Sequence, residues 1–151
     1  MLNNVFKLVL CLLCSIPVLG FVGKANLEAK QEVAAFMQRY VAATNSHNFA
    51  NVQPLLQPGA VYWFNKKESR GLPEIEAGFN ESWNYLPDEV YGIENITWLS
   101  IDKRSATCIY IYTYQGTHNG KPVQGKGRGT TILVKENGNW RIAHEHLSIP
   151  Q

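Results

Sequence analysis

The feature that most constrains the fold is a series of strand patterns joined by two short turns in the second half of the chain. The strand patterns cover residues 92–101, 106–115, 123–135 and 139–148. Asn119-Gly120 and Asn137-Gly138 are sequences typical of tight hairpin turns. Strands joined by such short turns must pair antiparallel, so this half predicts a mainly antiparallel sheet.

The first hairpin also predicts a register. A turn centred on Asn119-Gly120 places three tyrosines opposite three glycines: Tyr110, Tyr112 and Tyr114 against Gly129, Gly127 and Gly125. Aromatic rings lying across strand glycines fill the missing side-chain volume. The glycine-rich segment is therefore interpreted as a strand. It lacks the G-x-G-x-x-G spacing and the following helix that a phosphate-binding loop needs.

The second hairpin allows two registers. A three-residue loop, Glu136 to Gly138, pairs apolar with apolar residues and sets Arg128 opposite His146. A two-residue Asn137-Gly138 turn shifts the pairing by one and separates Arg128 from the histidines. We prefer the three-residue loop because of its apolar matching.

The first half of the chain is mainly helical. Residues 26–46 carry apolar side chains at helical spacing on one face: Val33, Phe36, Met37, Tyr40, Val41 and Thr44. A short helix, a strand at 60–64 and a polar loop at 65–71 follow. Another helix begins at Pro73, with Ile75, Phe79 and Trp83 on one side. Helices followed by antiparallel strands predict an α+β fold with the helices packed on one face of the sheet.

The N-terminus is typical of a secretory signal. Lys7 precedes an apolar run, residues 8–19, that is too short to span a bilayer, and small residues suited to cleavage follow. We predict a signal peptide over 1–25 and one domain over 26–151, secreted or periplasmic and without stable membrane insertion after cleavage. An uncleaved N-terminal anchor is the alternative. Cys108 alone would remain after cleavage, so no internal disulfide is expected, and its apolar strand indicates a small buried side chain.

Composition excludes several classes of function. Hydrophobic residues make up 45% and charged residues 17% of the 151-residue chain, as in ordinary globular domains. The net charge is only +2 and the basic residues are scattered, so nucleic-acid binding is not expected.

The last strand predicts a binding cavity. Its period of two places Trp140, Ile142, His144, His146 and Ser148 on one face, with Glu145 and Leu147 on the other. The first face changes from apolar to polar along the strand, as expected for a cavity with an apolar floor and polar groups near its mouth.

These residues carry a family resemblance. The segments concerned are Gly127-Arg128-Gly129-Thr130, Asn137 to Ile142, and His144-Glu145-His146-Leu147-Ser148 followed by Pro150. They resemble the C-terminal signature of SnoaL-like domains, within the nuclear transport factor 2-like superfamily. The resemblance covers roughly residues 31–150 and extends to the association domain of calcium/calmodulin-dependent kinase. It implies a cone-shaped α+β barrel (a cystatin-like roll), usually dimeric.

Candidate site residues follow from these patterns. We predict His144 and His146 as catalytic acid/base groups, because imidazoles exchange protons near neutral pH. The predicted ligand-binding residues are Arg128, Thr130, Trp63, Trp83, Tyr91 and Trp140. The alternative is that the histidines only satisfy buried polar groups. No third ligand accompanies them, so neither a metal site nor another cofactor is expected.

Two functions remain open on the sequence. The first is an exported domain that binds a partly apolar, anionic small molecule. The second is a small lyase or isomerase in which a pocket histidine moves a proton. The first is preferred, because the resemblance implies an acidic base and neither Asp88, Asp102 nor Glu145 is placed beside the histidines. A homodimer is expected through the convex face of the sheet, with the apolar residues Tyr110, Tyr112, Leu133 and Leu147.

Overall fold

The computed structural model describes residues 19–150, with side chains from Leu27 onward. The predicted signal peptide, 1–25, therefore lies largely outside the described residues, and the predicted domain limits stay a prediction. Within the described part of the chain, no helix combines the length and apolarity needed to cross a membrane.

The described chain holds three α-helices, one short 3₁₀ helix and six strands. The helices are α1 (Leu19–Thr44), α2 (Phe49–Val52), the 3₁₀ turn Gln53–Leu55 and α3 (Gly71–Tyr85). The strands are β1 (Leu56–Phe64), β2 (Lys67–Arg70), β3 (Val90–Ile101), β4 (Ser105–His118), β5 (Lys121–Glu136) and β6 (Asn139–Ser148).

Helix α1 packs its predicted apolar face on the sheet. Val33, Phe36, Met37 and Tyr40 are almost completely buried, since their spacing of three and four residues aligns them on one side. They form one core with the inner side chains of the strands. The predicted α+β class, with helices on one face, is confirmed.

The six strands form one mixed, curved sheet in the order β2-β1-β6-β5-β4-β3. All neighbouring pairs are antiparallel except β1 and β6, which run parallel. The sheet has two edge strands, β2 and β3, so it is an open cone rather than a closed barrel. The predicted mainly antiparallel sheet is confirmed, and it is open rather than closed.

The segment from residue 56 to residue 71 is more regular than predicted. Strand β1 begins at Leu56, and its pairing with β6 is irregular between Leu56 and Val61, which accommodates Pro58 without a ladder hydrogen bond. Residues 67–70 form β2 rather than a loop, because Asn65 adopts a positive φ of 52° and turns the chain back on β1.

The register of the first hairpin is confirmed. Tyr110, Tyr112 and Tyr114 pair with Gly129, Gly127 and Gly125, as predicted. A Cβ atom built on Gly129 would lie 2.1 Å from Cε2 of Tyr110, so no other residue fits beneath that ring. The rings fill the volume that the glycines leave.

The preferred register of the second hairpin is wrong. Glu136 pairs with Asn139, so the turn is the two-residue Asn137-Gly138, whose φ angles of 49° and 81° suit a tight hairpin. Together with one extra residue farther along β6, this turn sets Arg128 opposite Ser148 and Thr130 opposite His146.

An extra residue in β6 then changes which side chains face inward. Leu133 pairs with Ile142 but its neighbour Ile132 pairs with His144, which leaves Ala143 as a bulge. The bulge interrupts the alternation, because one added residue moves every later side chain to the opposite face. Glu145 is therefore buried, whereas His144 is only partly covered.

Two predictions about the faces of the sheet are therefore wrong. His144 and His146 do not share a face with Ile142. Tyr110, Tyr112 and Leu133, predicted on the convex face, are buried against the helices, and Leu147 is on the same inner side. The physical reason is that the rings over the glycines belong to the apolar core.

Candidate functional site

A cavity of about 420 Å³ lies between the inner face of the sheet and helices α1 and α3. Nine of its twenty lining residues are aromatic. These are Tyr40, Tyr62, Phe64, Phe79, Trp83, Tyr85, Tyr91, Tyr112 and Tyr114. Such a lining suits a small, largely apolar molecule.

A second hollow of about 550 Å³ is wider but more open. It lies beside Asp88 and Val90 and the ends of β4 and β5, and no aromatic side chain lines it. The aromatic cavity is therefore the better candidate for a binding site, since it is less open and offers apolar contact.

The most unusual group in the aromatic cavity is the carboxyl of Glu145, which is 1% exposed. It accepts hydrogen bonds from the hydroxyls of Tyr40 (2.8 Å), Tyr110 (2.7 Å) and Thr131 (3.2 Å). Tyr62 donates in turn to the Tyr40 hydroxyl, at 3.2 Å. Because hydroxyls both donate and accept, this network can hold the carboxyl in either protonation state.

Burial raises the pKa of Glu145, and the three hydroxyl hydrogen bonds partly oppose that rise. The same burial, with the nearby Glu145 charge, raises the pKa of Tyr40 and of Tyr110 well above the usual range. The tyrosines therefore remain neutral hydrogen-bonding groups, and Glu145 is the group that titrates.

Two further tyrosines of the lining lack a well-formed hydrogen bond. The buried Tyr112 hydroxyl bonds to no group in the described part of the chain, and the buried Tyr91 hydroxyl makes only a long, weak contact with Tyr110. The Thr44 hydroxyl, which is also in the lining, is buried and makes no hydrogen bond in the described part of the chain. A buried hydroxyl without a partner costs about 1–3 kcal/mol, so these groups favour a polar atom brought in by a ligand.

The break between α1 and α2 positions one wall. The Asn45 amide bonds both backbone groups of Tyr91, donating to its oxygen (2.8 Å) and accepting from its N–H (2.7 Å). His47 stacks on Trp83 with ring centroids 5.5 Å apart, and its Nε2 lies 3.0 Å from the Glu89 carbonyl oxygen. Two turn residues thus hold the Trp83 and Tyr91 side of the cavity.

Exposed side chains mark the rim. Phe64 and Tyr85 line the cavity yet are 44% and 51% exposed. Lys67 and Glu81, also in the lining, form an ion pair between β2 and α3. The cavity therefore opens between β2 and the end of α3.

The structure brings together only part of the predicted site. Trp83 and Tyr91 line the cavity. Trp63, His144 and His146 form a separate cluster on the outer face, with the Trp63 ring centroid 5.0 Å from that of His144 and 5.8 Å from that of His146. The catalytic role of the histidines stays a prediction, and it would have to be exercised outside the cavity.

The other three predicted residues also lie outside the lining. Arg128 is exposed and Thr130 is half-buried, both on strand positions that alternate with the inward-facing Gly129 and Thr131. Trp140 is buried, and its Nε1 donates to Glu32 of α1 at 2.8 Å. Arg128 lies outside the cavity because this side of β5, which also carries Thr130 and Ile132, faces outward.

The residues that give the cavity its polar character do not follow from the sequence patterns. Helical spacing places Tyr40 on the apolar face of α1 but says nothing of its hydroxyl, and strand alternation places Glu145 on the opposite face from Ile142. A partial signal existed, since a lone glutamate between two histidines is unusual within a core strand. The bulge that turns it inward has no clear sequence signal.

Among the described residues, no cluster of three or more histidine, cysteine, aspartate or glutamate side chains could hold a metal ion. Cys108 is buried, and burial raises the pKa of its thiol to about 12, so it is a packing residue as predicted.

The raised pKa of Glu145 makes folding stability depend on pH. The folded state binds the proton more tightly than the unfolded chain, so its contribution is fully present below the ordinary pKa of 4.5 and is lost as the pH rises through the folded pKa. The free energy of unfolding of the wild type should therefore fall with rising pH, by at most about 1.4 kcal/mol per pH unit from this group.

The measurement is urea unfolding over a pH series. Glu145→Gln, which keeps the shape of the side chain, is expected to lack this part of the pH dependence. The exposed Glu76→Gln is the matched control and should follow the wild type. Parallel pH curves for wild type and Glu145→Gln would contradict a raised pKa.

Comparison with known proteins agrees with this architecture. The family model of the SnoaL-like domain matches residues 33–151. A search of curated proteins gave no significant match.

Three solved structures are similar. A protein of Xanthomonas campestris, named for the calcium/calmodulin-dependent protein kinase II association domain, is 27% identical, with a TM-score of 0.71 over 79% of this chain and 86% of that one. An NTF2-like protein with a cystatin-like fold from Novosphingobium aromaticivorans is 13% identical, with a TM-score of 0.76 over 90% and 91%. A protein of the same organism named for scytalone dehydratase is 12% identical, with a TM-score of 0.75 over 85% and 89%.

The last two likenesses concern the fold alone, because their identities are low. The family model covers most of the chain, and its match agrees with the resemblance predicted from the C-terminal strands. The chain therefore belongs to the SnoaL-like domain family and has the cystatin-like fold of the NTF2-like superfamily.

Proposed function

We propose that this domain binds a small, largely apolar, ring-containing molecule in the aromatic cavity. The observation that carries the proposal is the pairing of an aromatic lining with the buried hydroxyls of Tyr91 and Tyr112, which lack well-formed hydrogen bonds. The aromatic walls supply apolar contact, and the hydroxyls supply hydrogen bonds that an occupant can complete.

The lining does not favour an anion. The sequence-based expectation of an anionic ligand depended on Arg128 and the two histidines, none of which lines the cavity. Its carboxyl groups are Glu81, Glu89 and Glu145, and its one basic group, Lys67, is already paired with Glu81.

A second candidate is a lyase or isomerase, in which Glu145 rather than a histidine moves the proton. One observation favours it: a carboxyl with a raised pKa faces the cavity, and tyrosine hydroxyls bonded to it could adjust to its protonation state. In its ionised form Glu145 would take a proton from the carbon beside a carbonyl and return it elsewhere on the same molecule.

We further propose that the domain forms a homodimer through the outer face of the sheet. This surface comprises Trp63, Ile109 and Ile132, which are 37–42% exposed, with His144 and His146 between them. Apolar residues in such number on one sheet face favour association. The Xanthomonas relative is named for an association domain, which agrees with this proposal.

Export through the predicted signal peptide also remains a proposal.

Filling the cavity should abolish ligand binding. The probe is 1-naphthalenemethanol, a bicyclic alcohol, and binding is followed by thermal shift and by isothermal titration calorimetry. Leu147→Trp places a large ring in the lining and should remove the response. Leu99→Trp, at a site 60% exposed, is the matched control and should bind as the wild type does.

His144→Ala tests whether the ligand binds in the aromatic cavity or beside the histidines that the sequence predicts. Its side chain lies outside the cavity, so binding should change by less than about twofold, a difference of under about 0.4 kcal/mol. Loss of binding in His144→Ala, with binding retained in Leu147→Trp, would overturn the proposed site.

The enzymatic candidate is tested by hydrogen–deuterium exchange of 2-tetralone, an enolisable bicyclic ketone, measured by mass spectrometry. Wild type should accelerate exchange, and the rate should rise with pH as Glu145 ionises and then level off, because the base must be unprotonated. Glu145→Gln should lose the acceleration, whereas Glu76→Gln should keep it. No acceleration by the wild type, for a ketone that it demonstrably binds, would count against this candidate.

The dimer is tested by light scattering after size-exclusion chromatography. Ile132→Glu puts a charge into the centre of the outer face and should give a monomer with an unchanged circular dichroism spectrum. Leu27→Glu, at a 57% exposed position of α1, is the control and should leave the mass at that of the dimer. A wild-type chain that is monomeric at all concentrations would refute the proposal.

A further inference from the structure

Glu145 is a buried acid without a basic partner. Of the ion pairs in the described part of the chain, none includes Glu145, and its hydrogen bonds all come from hydroxyls. The titratable groups facing it are four tyrosines (Tyr40, Tyr62, Tyr91 and Tyr110) and Cys108, all uncharged at neutral pH. Buried carboxylates in proteins are normally paired with a positive charge.

The rest of the cavity lining also carries more acidic than basic groups. Glu89 lines the wall next to Trp83, and the Lys67 charge at the rim is taken up by Glu81. Glu89 and Glu145 are thus left without a basic partner, and burial raises the pKa of both carboxyl groups. An approaching cation favours their ionised forms, and the attraction is strengthened where water is excluded.

The uncharged part of the lining is also suited to a cation. Aromatic rings present a negative face to a cation, and organic ammonium groups are commonly held between such rings. The hydroxyl oxygens of Tyr91 and Tyr112, 8% and 2% exposed as residues and without well-formed hydrogen bonds, are available to accept hydrogen bonds from N–H groups. An ammonium has only donors to offer, so it complements these acceptors.

Resting on the proposed binding function, we infer that the ligand is an organic cation: an amine carried on an aromatic or alicyclic ring, with its charge against Glu145. The ring occupies the apolar part of the cavity between α1 and α3. The ammonium replaces the missing partner of the Glu145 carboxylate and hydrogen-bonds to the free tyrosine hydroxyls.

The test compares three probes of one size by isothermal titration calorimetry at neutral pH: 1-naphthylmethylamine as the cation, 1-naphthalenemethanol as the neutral analogue and 1-naphthoate as the anion. Wild type should bind the amine about tenfold more tightly than the alcohol, and the naphthoate most weakly. Glu145→Gln should remove the preference for the amine, so that the amine and the alcohol bind to this variant with affinities within about twofold of each other. Glu76→Gln, exposed on α3, is the control and should keep the preference.

A second measurement needs no variant, should Glu145→Gln fail to fold. A cation favours the ionised carboxylate, so the affinity for the amine should rise between pH 4.5, the ordinary carboxyl pKa, and neutral pH, as Glu145 loses its proton. The affinity for the alcohol should change by less than about twofold over the same range.

The outcomes separate the two proposals. Binding of the alcohol as tightly as the amine, or tighter binding of the naphthoate, would overturn the cationic ligand and leave the binding function in place. An affinity for the amine that does not change with pH would likewise count against a charge held by Glu145. No binding of any of the three probes would overturn both.

Discussion

The bulge at Ala143 is the constraint on which the rest of the site depends. Before it, β6 places Ile142 in the core; after it, the same side of the strand carries Glu145 and Leu147. Without the extra residue, the two histidines would face α1 and the carboxyl would face solvent. One backbone irregularity therefore decides whether the cavity is acidic or basic, and with it which ligands the domain can accept.

Burying a carboxyl removes its hydrogen bonds to water, and hydrogen bonds from neighbouring hydroxyls replace them. Tyr40 comes from α1 and Tyr110 from β4, so the network that satisfies Glu145 also ties the first helix to the centre of the sheet. Such a network specifies how α1 sits on the sheet, because a shift of the helix would leave a buried charge unsatisfied. The same hydroxyls leave the carboxyl free to change protonation state, which an ion pair would prevent.

Much of the fold could be predicted from the sequence, since the patterns concerned are local. The face of α1 containing Phe36 and the tyrosine–glycine register of β4 and β5 follow from periodicity and a two-residue turn. The site could not be predicted in the same way. Its polar centre depends on the bulge at Ala143, on the parallel pairing of β1 with β6, and on a hydrogen bond across 105 residues between Tyr40 and Glu145.

The glycines of β5 link the packing of the sheet to the shape of the cavity. A Cβ atom on Gly127 would lie 2.5 Å from the Tyr112 ring and 2.4 Å from the Ser148 carbonyl oxygen, and one on Gly125 would lie 2.5 Å from the Tyr114 hydroxyl. Tyr112 and Tyr114 also line the cavity. A side chain at either glycine would therefore push the tyrosine ring that lies over it toward the space that a ligand needs. The glycines of β5, which have no side chains, thus leave room for the tyrosine rings and keep the cavity wide.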